Sequence, residues 1–188
     1  LVETLISKGI TDKKVLNAIL NIPRHFFMDS DFQSFAYDDK AFPILSNQTI
    51  SQPYTVAFQT ELLKIKSGDK ILEVGTGSGY QTSILIYLKA EVYTIERIYD
   101  LHKKSKKTLS MLNFHTEKIV WGDGYLGLPE FGPFDKILVT AGASEIPNKL
   151  LSQLKIGGKM TIPIGYKTQE MTVIERMEKE KFKKYKYG

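Results

Sequence analysis

Three short clusters in this chain have the residue types and spacing to do chemistry. Gly75-Thr76-Gly77-Ser78-Gly79 places glycine at alternate positions at the end of the apolar run Lys70–Gly75 (KILEVG). Without a Cβ, such a backbone can pass close to a ligand. Glu96 ends a second apolar run, Glu91–Glu96 (EVYTIE), 21 residues beyond Gly75. An acidic side chain there can accept hydrogen bonds from both hydroxyls of a ribose. Gly122-Asp123-Gly124 follows a third run, Lys118–Trp121, and Asp123 is either a ligand contact or a turn residue between glycines. A glycine-rich turn alone only closes a corner between strand and helix. Strand, glycines and acid in this order point to a nucleotide-like ligand.

Those residues need a frame. After residue 67, strands over Lys70–Gly75, Glu91–Glu96, Lys118–Trp121 and Lys136–Thr140 alternate with helices over Gly79–Leu88, Ile98–Asn113 and Pro147–Leu154. Late strands follow over Lys159–Ile164, Met171–Met177 and Lys181–Tyr187. This pattern specifies a doubly wound α/β fold, a mostly parallel sheet with helices on both faces. Ligands of such sheets bind at the carboxyl ends of the strands. Before residue 67 the pattern is helical. Leu1, Val2, Leu5 and Ile6 lead to Gly9, and Thr11 is placed to cap a helix carrying Val15, Leu16, Ile19 and Leu20. An irregular aromatic stretch runs from His25 to Pro43. Ser51–Pro53 then opens a third helix with Tyr54, Phe58, Leu62 and Ile65 on one face, closed by Ser67-Gly68. Ser51 is a natural N-cap for it. The expected organisation is a helical N-terminal extension, residues 1–67, and a ligand-binding core, residues 68–188, in one compact unit. His25 and Trp121 are expected to pack rather than to catalyse or stack on a ligand.

Composition closes other routes. The 188 residues are 42% hydrophobic and 25% charged, with no cysteine. A chain of this length buries about 70% of its unfolded surface, enough for a core. Without cysteine there is no disulfide scaffold, Cys-ligated zinc, iron–sulfur cluster or thiol nucleophile, and no metal site is expected. The longest wholly apolar run, Ile84–Leu88, is far short of the ~20 residues that span a bilayer. Leu1–Ile10 lacks a basic leader and a cleavage site, so the expectation is a cytoplasmic protein with no membrane partner. The net charge of +5 concentrates in Lys103–Lys107 and Lys179–Lys186. Without interleaved aromatics, these runs read as a solvated helix face and a frayed terminus.

The glycines fall at the first, third and fifth positions of their turn, whereas a dinucleotide fingerprint wants glycine at the sixth, here Tyr80. That spacing is the pattern of S-adenosylmethionine-dependent methyltransferases. Glu73, two residues before Gly75, resembles the acid of their first motif, and Asp123 stands where they hold an acid or amide near the adenine. The fourth strand ends Val139-Thr140-Ala141-Gly142, which lacks the Pro-Pro-Tyr signature of amino-directed nucleic-acid methyltransferases. No Lys or His stands near the motifs as a general base, and an acceptor that is already ionised, a carboxylate, needs none.

Longer matches narrow the comparison. Pro23-Arg24-His25-Phe26-Phe27, Gln48-Thr49-Ile50-Ser51-Gln52-Pro53-Tyr54 and Leu72-Glu73-Val74-Gly75-Thr76-Gly77-Ser78-Gly79-Tyr80-Gln81 all occur here. Gly122-Asp123-Gly124, Pro133-Phe134-Asp135 and Ile162-Pro163-Ile164-Gly165 complete the set. In these residues the chain resembles the protein-L-isoaspartate O-methyltransferases, and the segment around Thr49–Ser51 is specific to that family. The resemblance implies a Rossmann-like methyltransferase fold and S-adenosylmethionine as cofactor. It also implies methylation of the free α-carboxylate of L-isoaspartyl residues in damaged peptides and proteins, starting repair through a succinimide. It puts Glu73, Gly75, Thr76, Gly77, Ser78, Gly79, Glu96, Asp123 and Gly124 at the cofactor, and Thr49, Ile50 and Ser51 at the substrate. Ser51 would be the active-site residue, orienting the acceptor carboxylate. A monomer that does not bind nucleic acid is expected.

The chain departs from the family at Leu45-Ser46-Asn47, where glycines are usual. Leu45 does not readily take left-handed geometry, so a different loop path is expected. The family also carries, beyond the point matching Gly188, a strand that helps cover the substrate. Two other readings stay open here: a class I methyltransferase acting on a small molecule or nucleic acid, and a non-catalytic domain that binds S-adenosylmethionine.

Overall fold

The computed structural model describes residues 1–166 and 168–187, so Lys167 and Gly188 of the segment 68–188 lie outside the described residues. The N-terminal elements are α1 (Val2–Ser7), α2 (Lys13–Asn21), a short hairpin of β1 (Phe42–Ile44) and β2 (Gln48–Ile50), and α3 (Pro53–Leu63). Then come β3 (Lys70–Val74), α4 (Tyr80–Tyr87), β4 (Glu91–Glu96), α5 (Tyr99–Met111) and β5 (Lys118–Trp121). The chain ends with β6 (Phe134–Val139), α6 (Asn148–Ser152), β7 (Leu154–Ile164), β8 (Glu170–Arg176) and β9 (Phe182–Tyr187).

One sheet has the order β5-β4-β3-β6-β7-β8-β9. β3 pairs parallel with β4 and β6, β4 with β5, and β6 with β7. β8 and β9 are antiparallel additions. The chain winds outward from β3 to β5 and then returns to lay β6 on the other side of β3. The switch in winding direction therefore falls at β3, and its carboxyl end is where a ligand cleft forms.

Successive residues of a strand face opposite layers. Ile71 packs with Leu63 of α3 and Leu85 of α4, while Leu72 packs with Ile137, Leu150 of α6 and Leu154. Apolar residues on both faces are what a covered parallel strand requires. The N-terminal segment is packed on this core, since Leu5, Val15, Ile19 and Phe27 share one apolar cluster with Tyr80, Ile84 and Leu109.

Several expectations are corrected. The cap of α2 is Asp12, whose Oδ1 accepts from Lys14 N at 2.8 Å, and the Thr11 hydroxyl donates to Glu61 Oε1 instead. α3 buries Val56, Ala57, Gln59, Thr60 and Leu63 rather than the Tyr54–Phe58 face. It lies against both α2 and the strands β6 to β8, so more than one face is covered. It closes at Lys64 with φ +51°, before Ser67-Gly68. Trp121 is 58% exposed, because β5 is the edge of the sheet; the Tyr99 ring meets it edge-on at 5.1 Å, and its indole N–H donates to Arg97 O. The run Lys179–Lys186 is not a frayed end from Phe182 onward, since β9 pairs with β8 and Lys186 meets Glu170 at 2.7 Å. Lys103, Lys104, Lys106 and Lys107 do lie exposed on α5. Among the described residues, no helix is long and apolar enough to cross a membrane.

Candidate active site

The turn after β3 is possible because its glycines take positive φ: +96° at Gly75, +54° at Gly77 and +89° at Gly79. A Cβ on Gly75 would lie 2.4 Å from Thr140 Oγ1, whereas one on Gly77 would meet nothing nearer than Ile44 Cδ1 at 4.0 Å. Gly75 is thus required by packing, and Gly77 faces open space. That space is a cleft of about 640 Å³, within the size range of ligand sites. Gly75, Thr76, Gly77 and Ser78 line it from the turn, and Glu96, Asp123 and Gly124 from the ends of β4 and β5. Thr49, Ile50 and Ser51 line the facing wall.

Glu96, nearly buried, accepts from Gly77 N at Oε2 and from Ile98 N at Oε1, both at 2.9 Å. Each carboxylate oxygen keeps further acceptor capacity, so Glu96 can hold the turn and still receive a pair of hydroxyls. Asp123 Oδ1 accepts from Tyr125 N at 2.9 Å, so it is a turn residue that also stands on the cleft. Gly124 is there for packing, since its Cβ would fall 2.5 Å from Val74 Cγ1. Tyr125, also on the cleft, donates its O–H to Glu145 Oε1 at 3.1 Å.

Two residues assigned to the cofactor do not reach the cleft. Gly79 is the N-cap of α4, where a Cβ would press on Leu109 at 3.1 Å. Glu73 is fully buried beneath the turn. Its Oε2 accepts from Thr82 Oγ1 at 2.5 Å and Thr94 Oγ1 at 2.7 Å, and Thr94 Oγ1 lies 2.6 Å from Thr76 Oγ1. Burial pushes Glu73 up to about 7 and Glu96 adds to the rise, against the pull of the two hydroxyls.

On the facing wall, the residues with left-handed geometry are Ser46 and Asn47, at φ +61° and +55°. Leu45 is spared, which is how the loop closes without glycine. Ser51 is half-buried and is not the N-cap of α3; that position falls on Gln52, whose side chain makes no cap bond. Asp39 does the capping from a distance. Its Oδ1 accepts from Tyr54 N at 2.8 Å, and its Oδ2 from Gln52 Nε2 at 3.1 Å and Lys8 Nζ at 2.5 Å. Burial pushes Asp39 up, but these bonds outweigh it and hold the carboxyl below its ordinary range.

Sequence reasoning missed Thr94, Thr140 and Asp39. Thr140 Oγ1 donates to Val74 O at 3.0 Å and Gly75 O at 2.7 Å, tying the end of β6 to the turn. Thr94 had a usable signal, being in register with Glu73 once the two strands are aligned. His25 lies off the cleft and pairs with the Tyr37 hydroxyl at 2.8 Å. Arg24, fully buried, stacks 4.9 Å from the ring of Tyr80, a cleft residue.

The profile of the protein-L-isoaspartate(D-aspartate) O-methyltransferase family matches residues 1–187. The chain belongs to this family. A protein-L-isoaspartate O-methyltransferase of Christiangramia forsetii is 60% identical over all of this chain and 88% of its own length. That of Flavobacterium psychrophilum is 55% identical over the same shares. A crystal structure of a Plasmodium falciparum protein assigned to the same activity, in complex with S-adenosyl-L-homocysteine, is 29% identical with a TM-score of 0.85, covering 98% of this chain and 91% of that one. Membership of the isoaspartyl methyltransferase family agrees with the mostly parallel seven-stranded sheet.

Proposed function

We propose that this protein transfers a methyl group from S-adenosylmethionine to the free α-carboxylate of L-isoaspartyl residues in damaged peptides and proteins, which starts their repair through a succinimide. The observation that carries this reading is one cleft with a glycine turn and an acidic strand end on one wall and the Thr49–Ser51 hairpin on the other. The residues fit the cofactor: Gly77 faces open space, and Glu96 lines the cleft with acceptor capacity left for hydroxyls. When bound, the cofactor supplies a methyl group already activated by a sulfonium. The chain's residues have then to hold and align, and to exclude water.

In this reading Glu96 holds the ribose hydroxyls, Thr76, Gly77 and Ser78 follow the cofactor, and Asp123 stands beside the base. Thr49 and Ile50 shape the acceptor wall. Ser51 is the catalytic residue, its hydroxyl orienting the acceptor carboxylate. That carboxylate is ionised at neutral pH and needs no general base. Residues 1–67 supply the acceptor side and residues 68–188 the cofactor side. The same proposal includes action as a monomer in the cytoplasm, on peptides rather than nucleic acid.

The test is Ser51→Ala beside Ser51→Asp. Since Asp39 caps α3, Ser51→Ala should change stability by less than about 0.5 kcal/mol and leave cofactor affinity intact while turnover falls. Ser51→Asp sets a negative charge against the substrate carboxylate, a like-charge contact that should nearly abolish turnover. A stable Asp variant with near wild-type turnover on an isoaspartyl peptide would show that Ser51 does not meet the acceptor.

A further inference from the structure

We propose that Glu73 is a positioning residue whose charge state, passed through the hydroxyls of Thr94 and Thr76, decides whether the glycine turn offers the cofactor an acceptor or a donor. Cofactor binding is then coupled to loss of one proton from the protein interior. The inference rests on the cofactor assignment above.

Glu73 and Thr94 are in register on β3 and β4, and Glu73 Oε2 receives both Thr82 and Thr94. Separations of 2.5 and 2.7 Å match hydroxyls bonded to an ionised carboxylate. A carboxylate only accepts, and a threonine hydroxyl has one proton to give. With Glu73 ionised, Thr94 spends its proton on Glu73, so the 2.6 Å contact to Thr76 must carry the Thr76 proton inward. Thr76 borders the cleft although only 3% of it is exposed, and its hydroxyl then has only lone pairs left for a ligand group that reaches it. With Glu73 protonated at Oε2, the chain reverses: Glu73 donates to Thr94, Thr94 to Thr76, and the Thr76 proton turns outward. One proton is exchanged with solvent at Glu73, while the hydroxyls merely rotate.

The carboxyl is poised for this exchange. Its Oε1 is buried with no hydrogen-bond partner among the described residues, so the ionised form is only half compensated. Few charges surround it. Glu96 stands at the end of β4, while Glu91 lies at the far end of that strand. α4 carries no Asp, Glu, Lys or Arg, although Arg24 stacks on Tyr80 at its first turn. Asp135 and Lys136 lie at the opposite end of β6. A cationic ligand in the cleft therefore favours ionised Glu73 and Glu96 together, and the lone pairs of Thr76 suit an N–H or O–H donor. By linkage, a cation that favours the ionised form binds more tightly as pH rises through neutrality. S-adenosylmethionine carries the sulfonium charge and S-adenosylhomocysteine does not, so the first should respond more.

The experiment is calorimetric titration of both ligands across the neutral pH range with wild type, Glu73→Gln and Thr94→Val, beside carbon NMR of the Glu73 carboxyl in the free and bound protein. Thr94→Val keeps the carboxyl and cuts the relay, so the test does not depend on the Gln variant folding. S-adenosylmethionine affinity of wild type should rise by at least about fivefold over the range, with a smaller rise for S-adenosylhomocysteine. The profile should be flat in Glu73→Gln and of reduced slope in Thr94→Val, which keeps the charge attraction and loses the relay. The cofactor's own titration is common to all three proteins and drops out. The Glu73 signal should titrate near neutrality and shift to lower pH on binding. Variants that keep the wild-type slope, or a Glu73 signal unmoved by ligand, would overturn the proposal. Failure of either ligand to bind at any pH would instead overturn the cofactor assignment.

Discussion

The two walls of the cleft are built by opposite means. The cofactor wall consists of strand ends locked to one another: Gly75 N donates to Ile95 O at 2.9 Å, Gly122 N to Glu96 O at 3.0 Å and Thr140 Oγ1 to Gly75 O at 2.7 Å. Beneath them lies a buried carboxylate. The acceptor wall is a hairpin of two three-residue strands, with Gln48 and Thr49 exposed and its base held by Asp39. A ligand that never varies is served by the end of a sheet, whereas an acceptor that can be any polypeptide is met by an exposed surface segment. The walls also answer pH with opposite signs. Glu73 is raised by burial, and Asp39 is lowered by Lys8, Tyr54 N and Gln52 against its burial.

The sharpest way to break this contrast is Gly77→Val. Its side chain would occupy the open space above the turn, and the variant should lose S-adenosylhomocysteine binding in calorimetry while its unfolding midpoint stays near that of Gly77→Ala, which shares the backbone strain. Normal binding would mean that the turn faces away from the cofactor. Next is the pH dependence of stability. The folded state holds the Glu73 proton up to about pH 7, while the unfolded chain releases it in the ordinary carboxylate range. This contribution is fully present below that range and disappears as pH rises through about 7, a loss on the order of 3 kcal/mol. Denaturant unfolding at acid and alkaline pH should show this decline in wild type and not in Glu73→Gln. An equal decline in both would place the titration elsewhere.

A smaller effect is expected from Glu96→Ala, which should weaken cofactor binding by ~1–3 kcal/mol; an unchanged dissociation constant would remove Glu96 from the site. Smallest is Asp39→Ala, which should cost about 1 kcal/mol of stability through the lost cap. It should raise KM for the peptide more than it weakens cofactor binding. Because the Asp39 carboxyl is lowered, its contribution is present above the ordinary carboxylate range and fades as pH falls below it. A KM unchanged in Asp39→Ala would uncouple the cap from the acceptor wall.

What could be read in the sequence was local. β4 and β5 run between the residues their apolar runs mark, and the glycine turn, Glu96 and Asp123 were found from spacing within single loops. The misses depend on partners distant in the chain. Nothing near Ser51 reveals that its helix is capped by Asp39, and only the pairing of β3 with β4 puts Thr94 under Glu73. Alternation alone buried Trp121, because a strand pattern does not say that β5 is an edge. The β1–β2 hairpin was hidden by Pro43 and by a turn whose left-handed residues are Ser46 and Asn47 rather than glycine. The strand expected from Lys159 starts earlier, and a Cβ on Gly158 would strike Lys155 O at 2.8 Å and Asp135 O at 2.9 Å. There glycine permits close strand approach inside β7, which begins at Leu154.

The central claim is that these two walls bring one sulfonium methyl group to one kind of carboxylate. The direct measurement is transfer of labelled methyl from S-adenosylmethionine to an isoaspartyl peptide and to its normal aspartyl twin, with wild type and Ser51→Asp. The account predicts base-labile methyl ester on the isoaspartyl peptide alone, lost in Ser51→Asp although that variant still binds cofactor. Equal labelling of both peptides, or no labelling of either by a wild-type protein that binds S-adenosylmethionine, would contradict it.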